Sequence, residues 1–288
     1  MIRELLNHYH IRFQRDHRMA VLFELVYNLF LENKWKIKKR IQGIRHPIVH
    51  VYAVCWNEEK IIPFFLSHYN EFVDHYYIYD NYSDDKTDEL LSKQSNISVI
   101  KYNTGGTFND LVHQEIKNTV WKKSRGKADW VIVVDMDEFL YHDDIKKFLS
   151  NNLYKSSIFY TEGFDMVTES FPPLGRKITD TIKKGVANKW LNKKILFDPH
   201  RIVEINYEAG AHEADPEGII VFDKPVLLKL LHYKYLGHDY VLDRIYEYRK
   251  RLSKTNLENN YGIHYVEEEI EIIAKINYYI KIVENVLG

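Results

Sequence analysis

The sequence predicts an α/β protein built on a mostly parallel, doubly wound sheet, with additional helices at the N- and C-terminal ends. Three observations lead there. Between residues 48 and 140, short runs rich in β-branched and aromatic residues alternate with helical stretches, the pattern of strand–helix–strand units that cover a parallel sheet. One run, residues 130–134, is apolar without interruption, as expected of a strand buried on both faces. Each run also ends in a polar cluster, and in such sheets ligands bind beyond the carboxyl ends of the strands.

Taken in order, residues 1–45 read as one or two amphipathic helices with basic patches at Arg12, Arg15 and Arg18, then at Lys34, Lys36, Lys38, Lys39 and Arg40. His46-Pro47 marks their end. Strands are expected at 48–55, 75–79, 97–102 and 130–134. Helices between them follow Asn57, with Pro63 in the first turn, and cover 85–93 and 109–123. The second half is less regular, with strands near 158–161, 201–206 and 226–232 and a loop at Pro172-Pro173. Helices at 240–253 and 266–286 finish the chain, the last with apolar residues at helical spacing.

Composition narrows the function. Among 288 residues, 45% are hydrophobic and 28% charged, ordinary for a globular protein. Forty basic residues balance 41 acidic ones, so the basic surplus of a nucleic-acid binder is missing and no nucleic-acid partner is expected. The single cysteine, Cys55, excludes an internal disulfide and fits a reducing, cytoplasmic setting. No signal peptide is read in the first 33 residues, and the run 20–31 is too short to span a bilayer. Beside the basic tract 34–40, that run suggests peripheral membrane contact through residues 1–46. The alternative is that Leu22, Leu25, Val26, Leu29 and Phe30 pack on the main domain.

The polar clusters after the four strands share one rim: Trp56-Asn57-Glu58, Asp80 to Asp85, Thr104-Gly105-Gly106-Thr107 and Asp135-Met136-Asp137-Glu138. Asp135 and Asp137, two apart at a strand end, point in similar directions. Two such anions repel unless a cation lies between them, and oxygen ligands suit Mg²⁺ or Mn²⁺. The alternative is that the acids end a strand and cap the next helix. Asp80–Asp85 can be an Asx-rich turn and helix cap, or can bind a base or ribose. Trp56 can stack on a base or belong to the core.

Several runs together resemble family 2 glycosyltransferases: Cys55-Trp56-Asn57-Glu58-Glu59, 61–69, and Asp80-Asn81-Tyr82-Ser83-Asp84-Asp85-Lys86-Thr87. Asp137-Glu138-Phe139, preceded by Ala128-Asp129-Trp130, is similar to the branch with a DxDEF metal motif, as are Leu230-Leu231-His232-Tyr233-Lys234-Tyr235 and 244–256. The resemblance runs from residue 51 to 265. It implies a GT-A fold: an N-terminal helical segment 1–46, a catalytic domain 47–235 divided into a nucleotide-binding half (47–140) and an acceptor half (141–235), and a C-terminal helical segment 236–288. It implies Asp137 on the metal, Asp135 on the metal through water or on the ribose, and His232 on the metal or diphosphate. Trp56, Asp80 and Asn81, with Asn57 and Glu58 beside them, would hold base and ribose, and Lys117 would lie near the diphosphate. It further implies a nucleotide-diphospho-sugar donor, taken as a UDP-sugar, a glycan or lipid-linked acceptor, Mn²⁺ or Mg²⁺, and inversion at the anomeric carbon. The general base is sought among His212, Glu213 and Asp215, with Glu162 and Asp165 as rivals. Two other readings share the fold: an inactive sugar- or nucleotide-binding scaffold, and a nucleotidyltransferase. The latter would call for a glycine-rich basic loop where Cys55–Glu59 stands.

Overall fold

Four parallel strands organise the first half of the molecule. A computed structural model describes residues 11–12, 18–222 and 228–288. The described residues begin with β1 (Ile11–Arg12) and α1 (Arg18–Ile41). There follow β2 (Val49–Cys55), α2 (Ile62–Tyr69), β3 (His75–Asp80), α3 (Thr87–Ser92), β4 (Ile97–Lys101), α4 (Asp110–Thr119) and β5 (Trp130–Asp135). The expected alternation is therefore present, and the α/β class with a mostly parallel sheet holds. Arg15 and the start of the strand expected at 226–232 lie outside the described residues.

The main sheet has the order β4-β3-β2-β5-β10-β7, where β7 is Ile158–Phe159 and β10 is Leu196–Phe197. Its first four strands are parallel, and β10 and β7 extend it antiparallel. Side-chain alternation divides its apolar residues between two cores. Val51, Ile78, Ile132 and Val134 face Phe65 and Tyr69 of α2, while Tyr52, Val131 and Val133 face Trp121 and Phe197. Each such buried side chain contributes about 1.5–3 kcal/mol, so strand register is strongly specified.

A second sheet, β14-β9-β8-β13-β6, stands across the rim. It contains β6 (Glu138–Tyr141), β8 (Glu162–Thr168), β9 (Lys184–Ala187), β13 (Lys229–Leu236) and β14 (Glu284–Asn285). Strand β13 sets His232 opposite both Glu138 and Asp165. The chain leaves it at Gly237, whose φ of +89° and contact with the Ser170 backbone leave no room for a Cβ. Helices α5 (Ile145–Asn152) and α6 (Ile178–Thr181) come before this turn, which swings α7 (His238–Arg251) back against the turn after β2, followed by α8 (Lys254–Glu258) and α9 (Glu269–Ile282). The final helix stops earlier than expected: Val286 and Leu287 are buried beside β9 and bond to the Lys183 carbonyl, so the last residues form β14 instead.

A three-stranded sheet β1-β12-β11, with β11 (Ile202–Glu204) and β12 (Glu217–Ile219), receives α1. One face of α1 is buried through Val21, Leu25, Asn28, Glu32, Trp35 and Lys39. Its far end is pinned to the start of β5, where the Asp129 carboxylate accepts from Trp35 Nε1 at 3.0 Å, Lys39 Nζ at 2.5 Å and the Ile48 amide at 2.7 Å.

Candidate functional site

The carboxyl ends of β2, β3 and β5 open onto a cavity of about 620 Å³, well within the range of small-molecule sites. Asp135 ends β5, and Asp137 follows in the tight connection to β6. About a third of each side chain is exposed, 34% and 31%. Lys117 of α4 donates to both oxygens of Asp135 at 2.7 and 2.8 Å. His232 lies 3.2 Å from Asp137 through Nε2, while its Nδ1 donates to Asp165 at 2.7 Å.

Electrostatics follow from these neighbours. Burial opposes charge on both acids, but Lys117 and Lys193 lower Asp135. His232, Lys234 and Arg244 hold Asp137 well below the usual carboxylate range. Burial also opposes charge on His232, and Asp137 with Asp165 outweighs it, pushing the imidazole up to about 10. The third acid of the motif does something else. Glu138 is buried, accepts from the Asp135 amide and pairs with buried Lys193 at 2.5 Å. It holds the loop that aims its neighbours.

The other expected residues divide. Trp56, Glu58, Asn81 and Lys117 line the cavity with Asp135, Asp137 and His232. Asn81 is tied to Thr104 Oγ1 at 2.7 Å, which fixes its side chain at the rim. Trp56 already carries the Arg251 guanidinium 3.6 Å from its ring centre and Tyr248 at its edge. Asp80 is buried behind the rim, bound to Ser83 Oγ and to Lys101 at 2.5 Å. Asn57 braces the turn after β2 through Asp84. Of the base candidates, His212 lines the cavity, whereas Glu213 and Asp215 are exposed and do not. His212 Nδ1 donates to the Trp190 carbonyl at 2.8 Å, so its Nε2 keeps the free lone pair. Burial lowers its pKa, and Lys193 adds to that. Asp165, a rival for the base, is occupied with His232 and Asn188.

Sequence reasoning missed most of the opposite wall. Arg244, Tyr248 and Arg251 reach the cavity from α7, with Tyr265 beyond it. Arg244 donates to Glu58 at 2.5 Å and to the Asn57 carbonyl at 2.6 Å. Burial would lower its pKa, but Glu58 raises it well above the ordinary value. Tyr248 and Tyr265 stack at 4.8 Å. Asp110, at the start of α4, is pushed up to about 6 by burial. Trp190, 69% exposed, stands at the mouth beside His212. The spacing Arg244, Tyr248, Arg251 along one helix face was a usable signal; nothing local pointed to where that face would lie.

No family model matches the chain, and no curated protein matches its sequence. Among solved structures, a crystal structure of GalNAc-T7 with UDP, GalNAc and Mn²⁺ is similar at TM-score 0.31 and 10% identity, over 42% of this chain and 24% of that one. A 4-diphosphocytidyl-2C-methyl-D-erythritol synthase is similar at TM-score 0.32 and 10% identity, over 54% of this chain and 76% of that one. The chain thus spans about a quarter of the length of the first. At these scores neither likeness bears on the chemistry of the site.

Proposed function

We propose that this cavity binds a nucleotide-diphospho-sugar and transfers the sugar to a hydroxyl acceptor, with a divalent cation at Asp135 and Asp137. The observation that carries the reading is the convergence of this acid pair with His232 and several cations at the carboxyl ends of parallel strands.

The donor types suit a hard cation: two carboxylates and an imidazole whose Nδ1 is held by Asp165, the usual way a ligating histidine is oriented. A cation would replace the proton on Nε2. Among the described residues no group of three or more His, Cys, Asp or Glu is already spaced to enclose a metal, so Lys117 and His232 would have to yield part of their hold on the acids. Such an ion, when bound, supplies Lewis-acid neutralisation of the diphosphate.

The chain's own residues supply the rest. Lys117, Lys193 and Arg251 line the cavity and would attract the diphosphate. Asn81 and Trp56 would hold ribose and base, and a UDP-sugar remains the donor proposed from the family resemblance. His212, neutral at neutral pH and with Nε2 free, would accept the proton of the attacking hydroxyl. The exposed face of Trp190 offers a platform for the apolar side of an acceptor sugar.

The test is release of nucleoside diphosphate from candidate nucleotide sugars with and without Mn²⁺. Cation-dependent release is expected, with an acid limb of kcat/KM below pH 6.5 that His212→Gln abolishes. Absence of release and of any thermal shift with every nucleotide sugar defeats the reading.

A further inference from the structure

Helix α1 is apolar on two opposite sides. Its buried side was described above. On the other side Met19, Phe23, Val26, Tyr27, Phe30, Ile37 and Ile41 are 52–80% exposed. Their spacing, steps of three or four apart from the adjacent pair Val26-Tyr27 and a seven-residue step across Lys34, puts them on one continuous stripe. A solvent-facing helix normally shows charge there, and a contiguous exposed apolar stripe marks a surface that something covers.

The charges beside the stripe say what. Lys34, Lys38 and Arg40 are exposed along its C-terminal half, and Lys34 Nζ lies 4.6 Å over the Phe30 ring. The helix has only two carboxylates, and neither belongs to the exposed face: Glu24 is held by Arg125 and Glu32 by Lys36. The exposed face therefore offers apolar side chains and positive charge, with the neutral Asn33 among them and no carboxylate. A second copy would bring the same cations and, on this face of the helix, no carboxylate to pair them. An anionic lipid surface matches both features: the rings and Ile37 enter the acyl boundary while the lysines reach the phosphates.

We propose that α1 lies in the plane of a membrane and binds anionic phospholipid through this stripe. The face is anchored away from the chemistry. Asp129, which pins α1, immediately precedes β5 and Asp135 ends it, a separation of roughly 20 Å at the strand rise. The inference is independent of the donor reading.

The experiment is co-sedimentation of the full chain with phosphatidylcholine vesicles, with and without phosphatidylglycerol, at low and high salt. Binding to the anionic vesicles at low salt is expected, weaker by about tenfold or more at high salt or on neutral vesicles. Phe23→Ser with Phe30→Ser should lower it at least about tenfold. Should that variant melt early, Lys34→Glu with Lys38→Glu carries the test, because both side chains are exposed; it should lose anionic binding with melting unchanged. No binding at low salt, equal binding to neutral vesicles, or parental binding by the charge-reversed variant would each overturn the proposal. So would a salt-stable dimer in sedimentation that Phe23→Ser with Phe30→Ser dissolves, which would assign the stripe to a second copy.

Discussion

One wall of the cavity takes Trp56, Asn81 and Asp135 from successive strand ends within residues 49–135, whereas the opposite wall takes His232, Arg244, Tyr248 and Arg251 from β13 and α7. The first wall is set locally. Each residue there follows a buried apolar strand, so its position is determined as soon as the sheet forms. The second wall exists only after Gly237 turns the chain and α7 docks, with Arg244 bridging to Glu58 and Asn57. Substitutions in the first wall should therefore cost chemistry, and substitutions in the second should cost structure as well.

The sharpest way to break this contrast is Arg244→Ala. Burial already pushes Glu58 up to about 8 beside Arg244, so without its cation the carboxyl is left protonated, and losing the partner of such a buried polar group costs about 1–3 kcal/mol. Chemical denaturation should show that loss; a change under about 1 kcal/mol would mean that α7 docks without the pair. Asp137→Asn tests the first wall. Cation-dependent turnover should fall by about a hundredfold or more while the melting transition stays cooperative, and normal turnover would remove Asp137 from the chemistry. The smallest effect is expected at the seam between the walls. Trp56→Ala should weaken nucleoside diphosphate binding by about 1–3 kcal/mol, read by titration calorimetry. Because Arg251 already covers one face of Trp56, Arg251→Ala at unchanged affinity would show that the ring alone is used.

The contrast also explains what could be read in advance. Strands with unbroken apolar character, such as β5, announce both their burial and the location of their polar ends, so the rim positions of Asp135, Asp137 and Asn81 were legible, whereas Lys117, on a helix, was reached through the family resemblance. His232 was reached only through a family resemblance. Arg244 and Arg251 look like ordinary surface residues of an amphipathic helix, because their partners are distant in sequence: Asn57, 187 positions away, for Arg244 and the Trp56 ring for Arg251. Trp190 carries no periodic signal at all, sitting in a short 3₁₀ turn. The final residues read as helix because Val283, Val286 and Leu287 continue an apolar spacing, but pairing with β9 prevailed.

The clamp on Asp129 limits how this chain can be divided or recombined. A fragment beginning at residue 47 would keep a carboxylate that is 2% exposed while losing both Lys39 and Trp35. The Ile48 amide and the Tyr154 hydroxyl would remain to it, and the charge would be left without its cation at a surface opened where α1 had packed. The first helix is therefore no detachable accessory. Shedding or exchanging it would call for a replacement at Asp129 as well.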